Sequence, residues 1–75
     1  MIFNQRARNL RENMNLSQEY IAKKLNISRA TVNRYENDKF ELKLSYAIEL
    51  AKIYNVSLDY LTGLIDEPRK LKEYD

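Results

Sequence analysis

SQEYIAKKLNISRATVNRYEN, residues 17–37, holds two short amphipathic helical patterns with a gap of only about three residues between them. Ser17 is a good helix N-cap, and Leu16 before it is placed to pack onto Ile21 as a hydrophobic staple. Ile21, Ala22 and Leu25 then fall on one helical face, where the small Ala22 lets another helix approach closely. Asn26 follows at the turn, since asparagine tolerates the left-handed backbone that a sharp turn demands. Ser28 caps the next helix. Counting at about 100° per residue from Arg29, the side chains of Arg29, Asn33, Ala30 and Arg34 lie at about 0°, 40°, 100° and 140°. Tyr35 and Val32 lie opposite, at about 240° and 300°. Val32 and Tyr35 are the inward anchors, and the outward face carries two arginines and one asparagine, side chains able to read base edges. The pattern predicts a helix-turn-helix whose second helix lies against a DNA major groove.

Outward from this stretch the chain stays helical. Phe3, Ala7, Leu10 and Met14 mark one face of a first helix over roughly residues 3–14, ended by Asn15. A loop with Asn37, Asp38 and Lys39 leads to a strongly apolar fourth helix bearing Leu44, Ala47, Ile48, Leu50, Ala51 and Tyr54, the expected spine of the core. Asn55 ends it. Ser57 caps a short fifth helix with Leu58, Leu61 and Leu64 on its buried face and Gly63 near its end. The expected architecture is all-α, with five helices in one domain over residues 1–65 and the motif at about 18–37. Residues 66–75 (DEPRKLKEYD), broken by Pro68, read as a polar, mobile tail.

Composition narrows the chemistry. The 75 residues include no cysteine and no histidine, which removes disulfides, thiolate chemistry and the commonest general base and metal ligand. Neither a catalytic site, a metal nor a cofactor is expected. The acidic residues fall at helix caps and outer faces, with no metal-binding cluster to support a nuclease. No run approaches the roughly 18 apolar residues that cross a bilayer, and residues 1–15 lack the apolar block of a signal peptide, so a cytoplasmic location is expected. The charge is polarised. Residues 1–43 hold nine Lys/Arg against five Asp/Glu, and residues 44–75 hold four against six. A basic front half suits a phosphate-facing surface, with the acidic rear turned away.

Leu10-Arg11, Leu16-Ser17-Gln18, Ile21-Ala22, Leu25-Asn26-Ile27-Ser28, Val32, Tyr35-Glu36-Asn37, Leu50-Ala51 and Val56-Ser57-Leu58-Asp59-Tyr60-Leu61 resemble, in order and spacing, the lambda-repressor/Cro-type helix-turn-helix regulators, also called XRE-type. The resemblance covers roughly residues 4–64. It implies a five-helix DNA-binding domain, usually dimeric on an operator of two half-sites, acting as a transcriptional regulator and most often as a repressor. It assigns Gln18 to a phosphate contact that also buttresses the recognition helix, and Arg29 to a base, where an arginine can bind guanine O6 and N7. Ala30 suits a thymine methyl and Asn33 an adenine. Arg34 reaches a base or a phosphate. Thr31 donates to a phosphate or satisfies a carbonyl of its own helix. With Ser28 these complete the candidate DNA face. Lys39 matches a basic residue on the DNA backbone, although Asp38 stands before it where the family most often has glycine. Arg11 and Glu36 match a structural ion pair between the first and third helices.

The same fold serves as a protein-interaction module, for example an antitoxin, and the tail with Leu71 and Tyr74 suits a segment that orders on a protein partner. The chain could also be the DNA-binding piece of a longer repressor. The region around Tyr54, Tyr60 and Leu64 is the expected dimer contact, unless these residues are plain core.

Overall fold

Serines start three of the described helices, and asparagines in left-handed backbone end three. The computed structural model describes residues 2–37 and 42–67. These form α1 (Ile2–Asn13), α2 (Gln18–Leu25), α3 (Arg29–Asn37), α4 (Leu44–Tyr54) and α5 (Leu58–Thr62), with no strand among the described residues. The all-α, five-helix expectation holds. Three helices open in one way. Ser17 Oγ accepts from the Tyr20 amide at 3.0 Å, Ser28 Oγ from Thr31 at 3.1 Å and Ser57 Oγ from Tyr60 at 3.1 Å, and each bond satisfies a donor the helix itself cannot pair.

Asn15, Asn26 and Asn55 take left-handed backbone at φ 58°, 57° and 54°. The residue after each folds its amide back onto the last turn: Leu16 to the Arg11 carbonyl at 3.1 Å, Ile27 to Ala22 at 3.0 Å and Val56 to Ala51 at 3.1 Å. This is the Schellman arrangement, and its apolar closing residue turns inward. Leu16, Ile27 and Val56 all pack on the core. Gly63, at φ 93°, closes α5 with the same bonding.

All five helices feed one core. Phe3 and Ala7 come from α1, Ile21 and Leu25 from α2, Val32 and Tyr35 from α3, Leu50 and Tyr54 from α4 and Leu61 from α5. The Phe3 and Tyr35 rings meet at 5.9 Å between centroids. α1 touches α3, α4 and α5, so it is the element against which the recognition helix and the rear of the domain are both set.

Several apolar residues stand where periodicity did not put them. Met14 is 47% exposed because α1 has ended at Asn13 and the chain is already turning. Leu44 and Ile48, expected in the spine of α4, are 64% and 39% exposed. Ala47, Leu50, Ala51 and Tyr54 define the buried stripe of that helix, and Leu44 and Ile48 lie at about 0° and 40° on the wheel, beyond the edge of that stripe. Leu64 follows the Gly63 cap, outside the α5 period, and is 77% exposed. Asn37, expected in a loop, is the last residue of α3, where its side-chain amide donates to the Asn33 carbonyl at 2.9 Å.

Arg6 ties the chain end to this frame. Its Nη1 donates to the Tyr60 and Ile65 carbonyls at 2.6 and 2.7 Å, its Nη2 reaches Asp66 at 2.8 Å, and the guanidinium lies 4.3 Å from the Tyr60 ring centre. Asp66, expected as the first tail residue, is thus held by α1. The tail residues 68–75 lie outside the described residues.

Candidate nucleic-acid interface

The recognition helix is anchored from within by two apolar side chains and from the side by one buried charge. Val32 and Tyr35 are fully buried, which turns the opposite face of α3 outward. That face exposes Arg29, Ala30, Asn33 and Arg34 together, with Ser28 exposed at the helix start. Thr31 is half-buried, and its hydroxyl meets Ser28 Oγ at 2.8 Å rather than a carbonyl of its own helix. Lys39 lies outside the described residues.

Glu36 is the buried charge. Its side chain has no exposed surface, and it takes Arg11 Nε on Oε2 at 2.8 Å and Arg11 Nη2 on Oε1 at 3.0 Å. Two parallel bonds from a planar fork fix direction as well as distance. The third guanidinium nitrogen, Nη1, donates to the Leu16 carbonyl at 2.8 Å. One arginine therefore joins α1, the entry to α2 and the end of α3. Bonding to Glu36, more than any other influence, raises the Arg11 pKa further above its ordinary value, so this cation stays charged.

Gln18 completes the junction. Its Nε2 donates to Glu36 Oε1 at 3.1 Å and to Asn33 Oδ1 at 3.4 Å, so the side chain at the start of α2 braces α3. An open cleft of about 400 Å³ lies in front of it, lined by Arg11, Ser17, Gln18, Glu19 and Arg29. The first turn of α2 borders this cleft, where unpaired amides and the positive end of the helix dipole favour a phosphate.

Three further polar residues carry weight that the sequence reading passed over. Asn4 is buried and donates from its side-chain nitrogen to the Tyr35 carbonyl. Arg8 pairs loosely with Glu12 at 3.9 Å and donates to Asn37 Oδ1 at 3.2 Å. Arg6 is the third. The Arg8–Glu12 spacing of one helical turn was visible in the sequence, whereas the bonds of Asn4 and Arg6 span 31 to 60 residues and leave no local pattern.

A short turn between two capped helices, the second with polar groups outward and its end locked by a buried ion pair, is the geometry of a DNA-reading motif. A helix-turn-helix family model matches residues 8–61. The chain belongs to the XRE-type helix-turn-helix family. The relatives of this helix-turn-helix chain include the uncharacterized HTH-type transcriptional regulator YobD of Bacillus subtilis, 36% identical over 93% of this chain and 68% of that protein. The HTH-type transcriptional regulator ImmR of the same organism is 35% identical over 100% of this chain, which spans 58% of that protein's length. Among solved structures, the restriction-modification controller protein C.AhdI from Aeromonas hydrophila superposes with a TM-score of 0.70 at 30% identity, over 79% of this chain and 89% of that one. The chain is thus a helix-turn-helix domain of the kind found in DNA-binding transcriptional regulators. No described helix is long and apolar enough to cross a membrane.

Proposed function

We propose that this chain is a sequence-specific operator-binding repressor that acts as a homodimer, each copy laying α3 in the major groove of one half-site. The observation that carries the reading is the division of α3 into a fully buried side, Val32 and Tyr35, and an exposed side, Arg29, Ala30, Asn33 and Arg34. Arg29 reads a guanine, Ala30 meets a thymine methyl, and Arg34 takes a base or a phosphate. The first turn of α2 with Gln18, the hydroxyls of Ser28 and Thr31, and Lys39 after α3 hold the phosphate backbone and set the register. Repression follows by occlusion of the promoter. The role is binding and not catalysis.

Exposed Leu44, Ile48 and Leu64 offer apolar surface to a second copy. Tyr54 is core and Tyr60 lies beneath Arg6, so of the expected dimer residues only Leu64 remains freely available.

Selection of bound duplexes from a random pool at defined salt tests the reading. The expected product is a two-fold symmetric site, bound at a stoichiometry of two chains per duplex, that lowers transcription in vitro when placed over a promoter. Equal binding to all sequences would refute sequence reading, and a raised transcript level would refute repression.

A further inference from the structure

Asn33 sits on the exposed face of α3 between two side-chain amides whose own orientations are fixed. At Asn37, Oδ1 accepts from Arg8 Nη1 at 3.2 Å, while Nδ2 donates to the backbone carbonyl of Asn33 at 2.9 Å. A guanidinium only donates and a backbone carbonyl only accepts, so turning the Asn37 amide over would break both bonds. At Gln18, Nε2 donates to Glu36 Oε1 at 3.1 Å, on a carboxylate already gripped by the Arg11 fork. That amide is fixed as well.

Both NH2 groups converge on one atom. Asn37 Nδ2 lies 2.9 Å and Gln18 Nε2 3.4 Å from Asn33 Oδ1. Reversing the Asn33 amide would set its NH2 against two others. The two lone pairs of Oδ1 are therefore committed inside the protein, and no described residue accepts from Asn33 Nδ2.

We infer that Asn33 is oriented before DNA arrives and presents only its Nδ2 donors to the groove, reading a base acceptor instead of gripping adenine with two bonds. The inference rests on the DNA-reading role of α3 proposed above. A two-bond adenine contact needs the asparagine oxygen to accept from N6 while the nitrogen donates to N7. Here that oxygen is engaged. The donors that remain suit guanine O6 and N7 or thymine O4, and the amino edge of cytosine leaves them unmet. This replaces the adenine assignment expected for Asn33. Arg8 and Asn37 become positioning residues for specificity, acting through the Asn33 amide.

The free protein gives the first test. In the labelled full chain, scalar couplings across the hydrogen bond from Asn37 Nδ2 to Asn33 Cγ are expected, with the Asn33 side-chain protons exchanging rapidly with water. A coupling that shows Asn33 Nδ2 as donor to Asn37 or Gln18 overturns the inference. The second test compares duplexes selected by the wild type, Asn33→Ala, Asn37→Ala and Arg8→Ala, each first shown to melt cooperatively. The base pair whose preference disappears in Asn33→Ala marks the contact. For the wild type the expected pair is G·C, or an A·T pair whose adenine can be replaced by purine, which lacks the N6 amino group, without loss of affinity; in Asn37→Ala an A·T pair that needs the N6 amino group should gain about fivefold or more, the low end of what a bidentate pair discriminates. Arg8→Ala, which loosens Asn37 from outside α3, should shift in the same direction. Wild-type selection of an A·T pair that loses affinity when its adenine is replaced by purine, or an unchanged site in Asn33→Ala, overturns the inference. A wild type that selects no sequence refutes the DNA-reading role itself, and the couplings still decide which way the amide points.

Discussion

Glu36 receives the Arg11 guanidinium on both of its buried oxygens, at 2.8 and 3.0 Å, and this pair closes α1 onto the recognition helix. Removing one partner of a buried pair strands the other charge, at about 3 to 5 kcal/mol. Glu36→Gln is expected to lose about 3 kcal/mol in urea or thermal melts, against no more than about 1 for an exposed pair. The double change Arg11→Met with Glu36→Leu should lose less than either single removal, because no lone charge remains. Melts that show Glu36→Gln unchanged would remove the pair from the account of stability.

Base reading and phosphate binding separate by salt. Arg29→Ala should relax the preference at one base pair of each half-site by about 1 to 3 kcal/mol, with other positions unaffected. Lys39→Ala should weaken all sequences alike and flatten the salt dependence by about one unit of slope per protomer. Anisotropy titrations at several salt concentrations, on matched and mismatched duplexes, distinguish the two. Uniform loss in Arg29→Ala would assign that residue to the backbone.

Alkaline pH probes the tyrosines beside the ion pair. Burial, above all, raises the pKa of both Tyr35 and Tyr54 well beyond the ordinary value, with the nearby Glu36 charge adding to it. Neither hydroxyl has a hydrogen-bond partner among the described residues. The unfolded chain releases these protons at about pH 10 while the folded chain keeps them. Stability is therefore fully present below pH 10 and falls as the pH rises above it, by up to about 1.4 kcal/mol per pH unit for each such group. Tyr54→Phe is expected to match or exceed the wild type at pH 7 and to fall less steeply in urea melts between pH 9 and 11. A parallel decline would show that Tyr54 is not the group responsible.

Arg6→Lys keeps the charge and loses the fork that reaches Tyr60, Ile65 and Asp66. A loss of about 2 kcal/mol is expected, the scale of charged hydrogen bonds to carbonyls. Hydrogen exchange should quicken at the Leu64 and Ile65 amides, both of which bond to the Asp59 carbonyl. Unaltered exchange there would mean that α5 closes its own end.

The caps and turns of this chain were legible because each is local: a serine three residues before the amide it accepts, an asparagine in left-handed backbone, an apolar residue folded in behind it. The two sides of α3 were legible for the same reason, since Val32 and Tyr35 repeat at helical spacing. Leu44, Ile48 and Leu64 were misplaced because an apolar residue at the right period still needs a neighbour to cover it, and the number of neighbours is a property of the whole packing. Asn4 and Arg6 could not be read at all. Their partners lie far along the chain, and a polar side chain on a helix looks the same whether it meets water or a distant carbonyl. At the candidate site, the residues of the exposed face were readable. The direction of the Asn33 amide was not, because it depends on Arg8, Glu36 and Asn37 acting together.

The bonds that α1 sends to α3, from Asn4, Arg8 and Arg11, mean that the motif is a unit of recognition and not a unit of folding. Residues 17–37 excised as a peptide would lose Phe3 from against Tyr35 and leave Glu36 without its arginine, its carboxylate open to water, and two helices of eight and nine residues are too short to persist without tertiary support. Grafting this reading head onto another scaffold therefore requires carrying α1 with it.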